Sequence, residues 1–248
     1  MKKEILGVGL DIIDADQTIS KITEYLQSNK QYHLVTVNPE FIVESRDNKK
    51  FKNVLNKASL AVCDGFGLVL VTLGKLKRVT GVDLSERLLG GEIKNSKVFL
   101  LGGTKDNAKI LMTKYPGTIV GAEQGGNINI KTYQLDNNDI IINKIIKSKA
   151  NILLVGFGQV KQEMWISQNL SKVPNVKVAI GVGGTFDYLS GDIKRAPKFF
   201  RSLGLEWLYR LTAQPQRLRR IFNATIKFLW LVALNKLLKL KHPKLTKR

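Results

Sequence analysis

The chain has 248 residues, of which 44% are hydrophobic, so it can bury a sizeable core, and this composition excludes an intrinsically disordered protein. The formal net charge is +20, from 40 Lys and Arg against 20 Asp and Glu. Such an excess predicts a polyanionic partner: nucleic acid, an anionic membrane or a phosphorylated ligand.

Short apolar runs alternate with longer helix-like segments along most of the chain. The predicted strands are His33–Val37, Leu60–Cys63, Lys97–Leu101, Thr118–Ala122, Ile152–Val155 and Val176–Val182. The predicted helices are Asp16–Asn29, Glu40–Asn48, Lys49–Lys57, Gly81–Leu89, Thr104–Lys114, Asn138–Lys149 and Lys161–Leu170. This alternation predicts an α/β, Rossmann-like fold, with helices on both faces of a mostly parallel sheet.

The charge distribution predicts a boundary near Lys194. Residues 194–248 contain 15 Lys and Arg but a single acid, Glu206. We therefore predict an α/β catalytic domain over residues 1–193 and a basic, membrane-associating, helical appendage over residues 194–248.

The N-terminus and the cysteine content indicate the compartment. The first residues, MKKEILGVGLDIIDAD, contain no long apolar run, so we expect no signal peptide. No stretch has the roughly 18 apolar residues of a membrane span. Cys63 is the only cysteine, which excludes an intrachain disulfide and favours a reducing, cytoplasmic compartment.

Most predicted strands end in a loop of Gly, Asn or Asp. These loops are Val37–Pro39, Cys63–Gly67, Leu101–Thr104, Val155–Gly158 and Val182–Thr185. They should fall on one edge of the sheet, beyond the carboxyl ends of the strands, where α/β folds bind their ligands. Glycine lets a backbone approach a ligand closely, and the helix starts that follow favour phosphate.

Two acids in these loops have two interpretations each. Asp64 follows a buried-type strand, so it suits either a general base in a pocket or a turn residue that caps the next helix. Position alone favours the cap. Asp187 follows a glycine loop, and a sugar or ribose contact is about as plausible there as a cap.

Other polar residues near the loops also have ordinary structural explanations. Thr36 and Asn38 precede a proline at a predicted helix start, which is typical of an N-cap. Arg78 ends a basic loop that suits solvent, although an arginine there could reach a diphosphate. Glu163 is favoured at a helix N-terminus, whereas its neighbour Gln162 is explained less readily.

The motifs also bear on three other function classes: hydride-transfer enzymes, nucleic-acid-binding proteins and metalloproteins. Gly156-Phe157-Gly158 resembles the start of a dinucleotide fingerprint, but Lys161 stands where the third glycine belongs, which argues against a hydride-transfer enzyme. A nucleic-acid-binding protein would explain the charge, but aromatic residues do not interleave the basic ones. Two histidines and one cysteine do not make a common zinc set, so no metal site is predicted, although acids remain available for magnesium.

The end of the chain has the spacing of an amphipathic helix. Its apolar residues in steps of three and four are Phe222, Ile226, Leu229, Ala233, Leu237 and Leu240. Phe228, Leu231 and Leu238 interrupt the opposite, polar face. The pattern favours a helix at a membrane surface, with packing on its own domain or on another subunit as the alternative.

Taken together, several stretches of the sequence resemble the WecG/TagA/CpsF glycosyltransferase family along nearly the whole chain. The matching stretches are Thr36–Glu40, Asp64–Gly67, Arg78–Leu84, Leu101–Thr104, Val155–Glu163, Gly181–Asp187, Gly191–Pro197 and Gly204–Leu211. Val160 is a departure, because the family usually has proline there; a less rigid loop is expected.

The resemblance implies transfer of a sugar from a UDP-sugar to undecaprenyl-diphosphate-linked GlcNAc, with inversion and without a bound metal or other cofactor. The implied donor is UDP-N-acetylmannosamine and the implied product, β-1,4-linked, begins the linkage unit of wall teichoic acid. Another UDP-sugar, used for capsule or exopolysaccharide, remains an alternative. The implied setting is peripheral, on the cytoplasmic face of the bacterial plasma membrane, with an anionic membrane surface as partner, a possible homo-oligomer and no nucleic acid.

The resemblance also implies roles for individual residues. Asp64 would deprotonate the acceptor 4-hydroxyl, Thr36 and Asn38 would line the pocket beside it, and Arg78 and Gln162 would assist at the sugar or the leaving diphosphate.

The remaining implied roles are in binding phosphates and the nucleotide-sugar. The donor would be held by Gly65, Gly102, Gly103, Gly156, Gly158, Glu163, Gly183, Gly184 and Asp187. Arg210, Arg217 and Arg220 would bind phosphates from an appendage folded over the site.

Overall fold

The computed structural model describes residues 1–197, 199–200, 206, 208–209, 218 and 223–241. Its centre is a six-stranded parallel sheet in the order β4-β3-β8-β7-β5-β6. The strands are β3 (Tyr32–Val37), β4 (Leu60–Cys63), β5 (Val98–Gly102), β6 (Ile119–Glu123), β7 (Ile152–Gly156) and β8 (Val178–Gly181). The predicted fold class is therefore confirmed, and each predicted strand is present, with ends that differ by up to two residues.

Helices cover both faces of this sheet. They are α1 (Ala15–Gln27), α2 (Pro39–Asp47), α3 (Lys49–Lys57), α4 (Phe66–Val71), α5 (Gly81–Leu89), α6 (Lys105–Lys114), α7 (Asn138–Ser148), α8 (Lys161–Asn169) and α9 (Thr185–Ser190). The short helices α4 and α9 were not predicted, because each follows a glycine loop and is too brief to show a clear period.

Alternate residues of each strand pack into separate cores, as a doubly covered sheet requires. On β7, Leu154 joins the core beneath α1, α5, α6 and α9, whereas Leu153 and Val155 join the core beneath α7 and α8. A further cluster on that second face holds α2, α3 and α4 against β3 and β4. The polar loops are thereby left at the carboxyl edge of the sheet.

An N-terminal hairpin, also not predicted, lies beside the edge strand β4. It consists of β1 (Lys2–Ile5) and β2 (Val8–Asp11), which pair in antiparallel orientation. The Asp11 carboxylate accepts a hydrogen bond from the Ala61 backbone N–H at 2.9 Å. A polar side chain thus satisfies a donor of the strand edge, where unpaired groups invite association.

The C-terminal helix (Phe228–Lys241) follows a π-helical turn over Asn223–Lys227 and packs on α2 and α4. Phe228 is fully buried in the cluster that holds Leu68, and Leu231 packs against the same cluster. The alternative interpretation, that this helix packs on its own domain, is therefore confirmed for the side that contains Phe228 and Leu231, and the membrane contact stays a prediction. Phe228 and Leu231 interrupt the predicted polar face and hold the helix on the domain, whereas Leu238, which also interrupts it, is 52% exposed.

The opposite side of this helix is apolar too. Trp230, Leu234, Leu237 and Leu238 are between 38% and 60% exposed. Among the residues that the structure describes, no helix is long and apolar enough to cross a membrane. The predicted boundary near Lys194 stays a prediction, as do the predictions for Phe222 and the Leu240 side chain, which lie outside what is described.

Candidate active site

A polar cavity of about 330 Å³ opens above the carboxyl ends of the strands. Its walls come from the loops after β3, β4, β5, β7 and β8, so one cavity brings together segments far apart in the sequence. The predicted site residues that line it are Thr36, Asn38, Asp64, Gly103, Gly156, Gly158, Gln162, Gly183, Gly184 and Asp187. The prediction that the strand-end loops share one site is thus met by the geometry.

Four other predicted residues do not line the cavity. Gly65 lies beneath the wall, where a Cβ would stand 2.2 Å from Cδ of Pro39. Gly102 has a φ of +107°, and a Cβ there would lie 2.8 Å from the backbone of Gly156. These glycines allow the loops to pack closely beneath the cavity. Arg78 and Glu163 do not line the cavity themselves but contact residues that do: Arg78 contacts Asp64, and Glu163 contacts Gln162.

Asp64 follows the last residue of β4, and its backbone N–H donates to the Val37 carbonyl oxygen at 2.8 Å. The pKa of the Asp64 carboxyl is raised to about 6, chiefly by burial and also by the nearby carboxylates of Glu206 and Asp83. Arg78 and a hydrogen bond from the Gly81 backbone N–H oppose that shift. The result is a carboxylate that is mostly ionised at pH 7 and more basic than an exposed aspartate.

Cys63, next to this carboxylate, does not compete with it as a reactive group. Burial raises the pKa of its thiol to about 12, and the Asp64 charge adds to the shift. The thiolate that a nucleophilic cysteine needs is therefore scarce at neutral pH.

An ion-pair network links the Asp64 loop to the segment after α9. The Arg78 guanidinium donates through Nε to the Asp64 carbonyl oxygen at 3.2 Å and pairs with Glu206 at 2.7 Å. Arg195 pairs with Asp83 at 2.6 Å and lies 3.6 Å from the second oxygen of Glu206. In this arrangement Arg78 contacts the Asp64 backbone and is not among the residues that line the cavity.

The side chain of Gln162 is held in one orientation. A backbone N–H can only donate, so the 2.9 Å contact from Gly183 N must reach Oε1 of Gln162. Its Nε2 then donates to Oε1 of Glu163 at 2.7 Å. Gln162 is only 2% exposed yet lines the cavity, so its amide is a fixed part of the wall.

Glu163 lies behind that wall and is fully buried. Burial raises the pKa of its carboxyl to about 8, although the hydrogen bond from Gln162 opposes the shift. The acid is therefore mainly neutral at pH 7. Its predicted role in holding the nucleotide-sugar stays a prediction; what it contacts is the Gln162 amide that lines the cavity.

Thr36 and Asn38 form the wall on the other side. The Thr36 hydroxyl donates to the Gly181 carbonyl oxygen at 3.0 Å, which ties β3 to β8. The Asn38 side chain accepts the Phe41 backbone N–H at 3.0 Å and so caps α2. The structural interpretation of Asn38 is confirmed, and the same residue also faces the cavity.

Val160 departs from ordinary backbone geometry. Its φ of +67° and ψ of −56° close a γ-turn, in which Lys161 N donates to the Gln159 carbonyl oxygen at 2.8 Å. This region is strained for a β-branched residue, and proline, fixed near −65°, does not reach it. The loop before α8 therefore has a conformation that proline at this position would forbid.

Several residues of this site were missed from the sequence. Glu40 and Tyr188 line the cavity, and Asp83, Arg195 and Glu206 form the ion-pair network. All except Tyr188 lie inside the stretches that resemble the family. Membership of those stretches was the signal that could have identified them from the sequence.

Two predictions stay predictions: the role of three arginines in phosphate binding and the absence of a metal site. Arg210, Arg217 and Arg220 lie outside the described residues. Within the described part of the chain, no group of three or more His, Cys, Asp or Glu side chains is arranged to hold a metal ion.

Comparison with known proteins agrees with the resemblance. Residues 3–242 match the glycosyl transferase WecG/TagA/CpsF family. An N-acetylglucosaminyldiphosphoundecaprenol N-acetyl-beta-D-mannosaminyltransferase from Bacillus spizizenii is 34% identical over 226 residues, covering 86% of this chain and 85% of the relative. Proteins of the same name from Staphylococcus aureus strains MRSA252 and NCTC 8325 are each 31% identical over 244 residues, covering 94% of this chain and 92% of the relative. Matched over nearly its whole length, the chain belongs to the glycosyl transferase WecG/TagA/CpsF family.

Proposed function

We propose that this enzyme transfers N-acetylmannosamine from UDP-N-acetylmannosamine to the 4-hydroxyl of GlcNAc-diphosphoundecaprenol, as an early step of wall teichoic acid synthesis. The observation that carries the proposal is the Asp64 carboxylate at the wall of a polar cavity, with its pKa raised to about 6. The name of the relatives supports the transferred sugar and the lipid-linked acceptor.

The chemistry is a single displacement that inverts the anomeric carbon. The acceptor oxygen attacks that carbon, its proton passes to Asp64, and the bond to the diphosphate breaks with its electron pair leaving on UDP. A base with a pKa near 6 suits this task, because it is mostly ionised at pH 7 and still accepts a proton in the transition state.

The leaving diphosphate needs positive charge or donors. The loops at Gly103, Gly158 and Gly184 line the cavity, and we assign their backbone N–H groups to the phosphate oxygens. We assign further charge to Arg210, Arg217 and Arg220, in keeping with the excess of basic residues beyond Lys194. On this proposal the reaction needs no bound metal.

The membrane carrying the acceptor is the second partner in this proposal. The exposed side of the C-terminal helix has Trp230, Leu234 and Leu237, and the exposed Lys236 lies among them. Apolar residues next to lysines suit the interface of an anionic membrane. We propose a peripheral enzyme on the cytoplasmic face, with homo-oligomerisation left as a prediction.

An alternative within the family is a different UDP-sugar donor. Purified full-length enzyme with a lipid-diphosphate-GlcNAc acceptor should release UDP from UDP-N-acetylmannosamine faster than from UDP-glucose or UDP-N-acetylmannosaminuronic acid. The same rate after EDTA treatment is expected if no metal takes part. A preference for another donor would reject the donor assignment, and loss of turnover restored by Mg²⁺ would reject the metal-free mechanism.

Asp64→Asn should lower turnover by about 10² to 10⁴, because the amide cannot accept the acceptor proton. The same change should keep or raise the melting temperature at pH 7. The folded-state pKa of about 6 exceeds the ordinary 3.8, so the wild type loses stability as pH rises from about 4 through 6, and asparagine avoids that loss. Melting curves at pH 4 and pH 7 should show the difference shrinking at pH 4; turnover at the wild-type rate would exclude Asp64 as the base.

Glu206→Gln should shift the acid limb of the kcat/KM profile to lower pH. The Glu206 carboxylate raises the pKa of Asp64 and neutralises Arg78, so its removal lowers the Asp64 pKa. The other charged groups near Asp64 or lining its cavity, namely Arg78, Arg195, Asp83, Glu40 and Asp187, are unchanged. Glu24→Gln, which removes an exposed carboxylate on α1, is the matched control and should leave the profile in place; an unshifted profile for Glu206→Gln would contradict this coupling.

Glu163→Leu should lower kcat roughly tenfold, since one hydrogen bond of about 1 to 1.5 kcal/mol no longer fixes the Gln162 amide. Glu163→Gln keeps an acceptor oxygen and should retain most activity. In a Gln162→Ala background, Glu163→Leu should have little further effect. Additive losses in that double variant, or an equal loss in Glu163→Gln, would show that Glu163 does not act through Gln162.

A further inference from the structure

The turn that follows α4 exposes a leucine in an unusual backbone conformation. Leu73 is 88% exposed and has a φ of +53°, and Leu70 on the preceding helix is 55% exposed. Glycine or asparagine is the ordinary residue in the left-handed region. A leucine there gains no burial within the described part of the chain and bears a conformational cost, a combination that suggests a partner.

The turn is fixed by hydrogen bonds beneath the leucine. The Thr72 hydroxyl donates to the Leu68 carbonyl oxygen at 2.8 Å, and Gly74 N donates to the Val69 carbonyl oxygen at 3.0 Å. Leu76 on its inner side is fully buried. The turn therefore has an ordered backbone that holds Leu73 at the surface.

The charge around this leucine suits an anionic partner. Lys75 and Lys77, both exposed, follow it directly, and no acid occurs in residues 70–77. Lysine next to an exposed apolar tip is the combination that binds the headgroup region of an anionic bilayer.

The turn adjoins the surface already assigned to the membrane. The C-terminal helix packs on α4, where a Cβ on Gly67 would lie 3.7 Å from the Phe228 ring. Two packed elements thus both expose leucines and lysines. Arg78, which contacts the Asp64 carbonyl oxygen, comes directly after Lys77, so the turn is continuous with the catalytic loop.

We propose that the Leu70–Lys77 turn is a second membrane contact, with Leu73 inserted among the acyl chains and Lys75 and Lys77 on lipid phosphates. This inference rests on the proposed action at a membrane-borne acceptor. It would hold the loop that contains Asp64 at the bilayer surface, where the diphosphate of the acceptor lies.

Leu73→Asn in the full-length protein tests the contact. We expect binding to vesicles of equal parts phosphatidylcholine and phosphatidylglycerol, measured by co-sedimentation, to fall about fivefold, since the apolar side chain no longer inserts. The melting temperature should stay the same or rise, because asparagine tolerates the left-handed region. Opposite effects on binding and stability separate a membrane role from damage to the fold.

The matched control is Ile130→Asn. Ile130 is 74% exposed and follows β6, at the other edge of the sheet from β4, so its loss should leave vesicle binding unchanged. Wild-type vesicle binding by Leu73→Asn would overturn the proposal. A change from oligomer to monomer on light scattering with unchanged vesicle binding would assign the turn to a second copy of the chain instead.

The vesicles in this experiment contain no acceptor and the readout needs no turnover. Failure of the donor assay and failure of this contact are therefore distinguishable results.

Discussion

The candidate active site is organised around one partly enclosed carboxylate, Asp64, at the end of a buried strand. Asp64 loses water on joining the wall of the cavity, which raises its pKa, and the charge of Arg78 limits the rise. Glu206, which pairs with Arg78, contributes to the rise, and the pKa that results is about 6. The basicity of Asp64 therefore depends on the balance between its desolvation and the charges of the Arg78–Glu206 ion pair, whose acid lies in the distant C-terminal segment.

The rest of the cavity wall is built by close approach of backbone. Gly102 and Gly156 leave no room for a Cβ between the loops after β5 and β7. Gln162 joins the loop after β8 to α8 through the Gly183 N–H, and the neutral acid Glu163 fixes the direction of that amide. The wall of the cavity is thereby fixed before any ligand binds, which on the proposed function leaves little reorganisation for the leaving diphosphate to require.

The C-terminal helix connects this site to the proposed membrane surface. Phe228 packs inside the domain next to α4, while Trp230 and Leu237 stay on the outside. The helix therefore has two apolar sides: one fixes its place on the domain, and the other stays exposed and is the side that we propose contacts lipid. Leu73, on the turn after α4, extends the outer surface toward the loop that contains Asp64 and Arg78.

By itself, the sequence determined the α/β class, the position of each strand of the central sheet to within two residues and the gathering of strand-end loops at one edge, because period and glycine placement are local properties. Its motifs also identified Asp64, Thr36, Asn38 and Gln162 as neighbours. Only the tertiary structure decided that Glu163 lies behind the wall, that Phe228 points inward and that Glu206 meets Arg78 across 128 residues. Those outcomes depend on the strand order and on long-range packing, which create burial and charge contacts that no local pattern encodes.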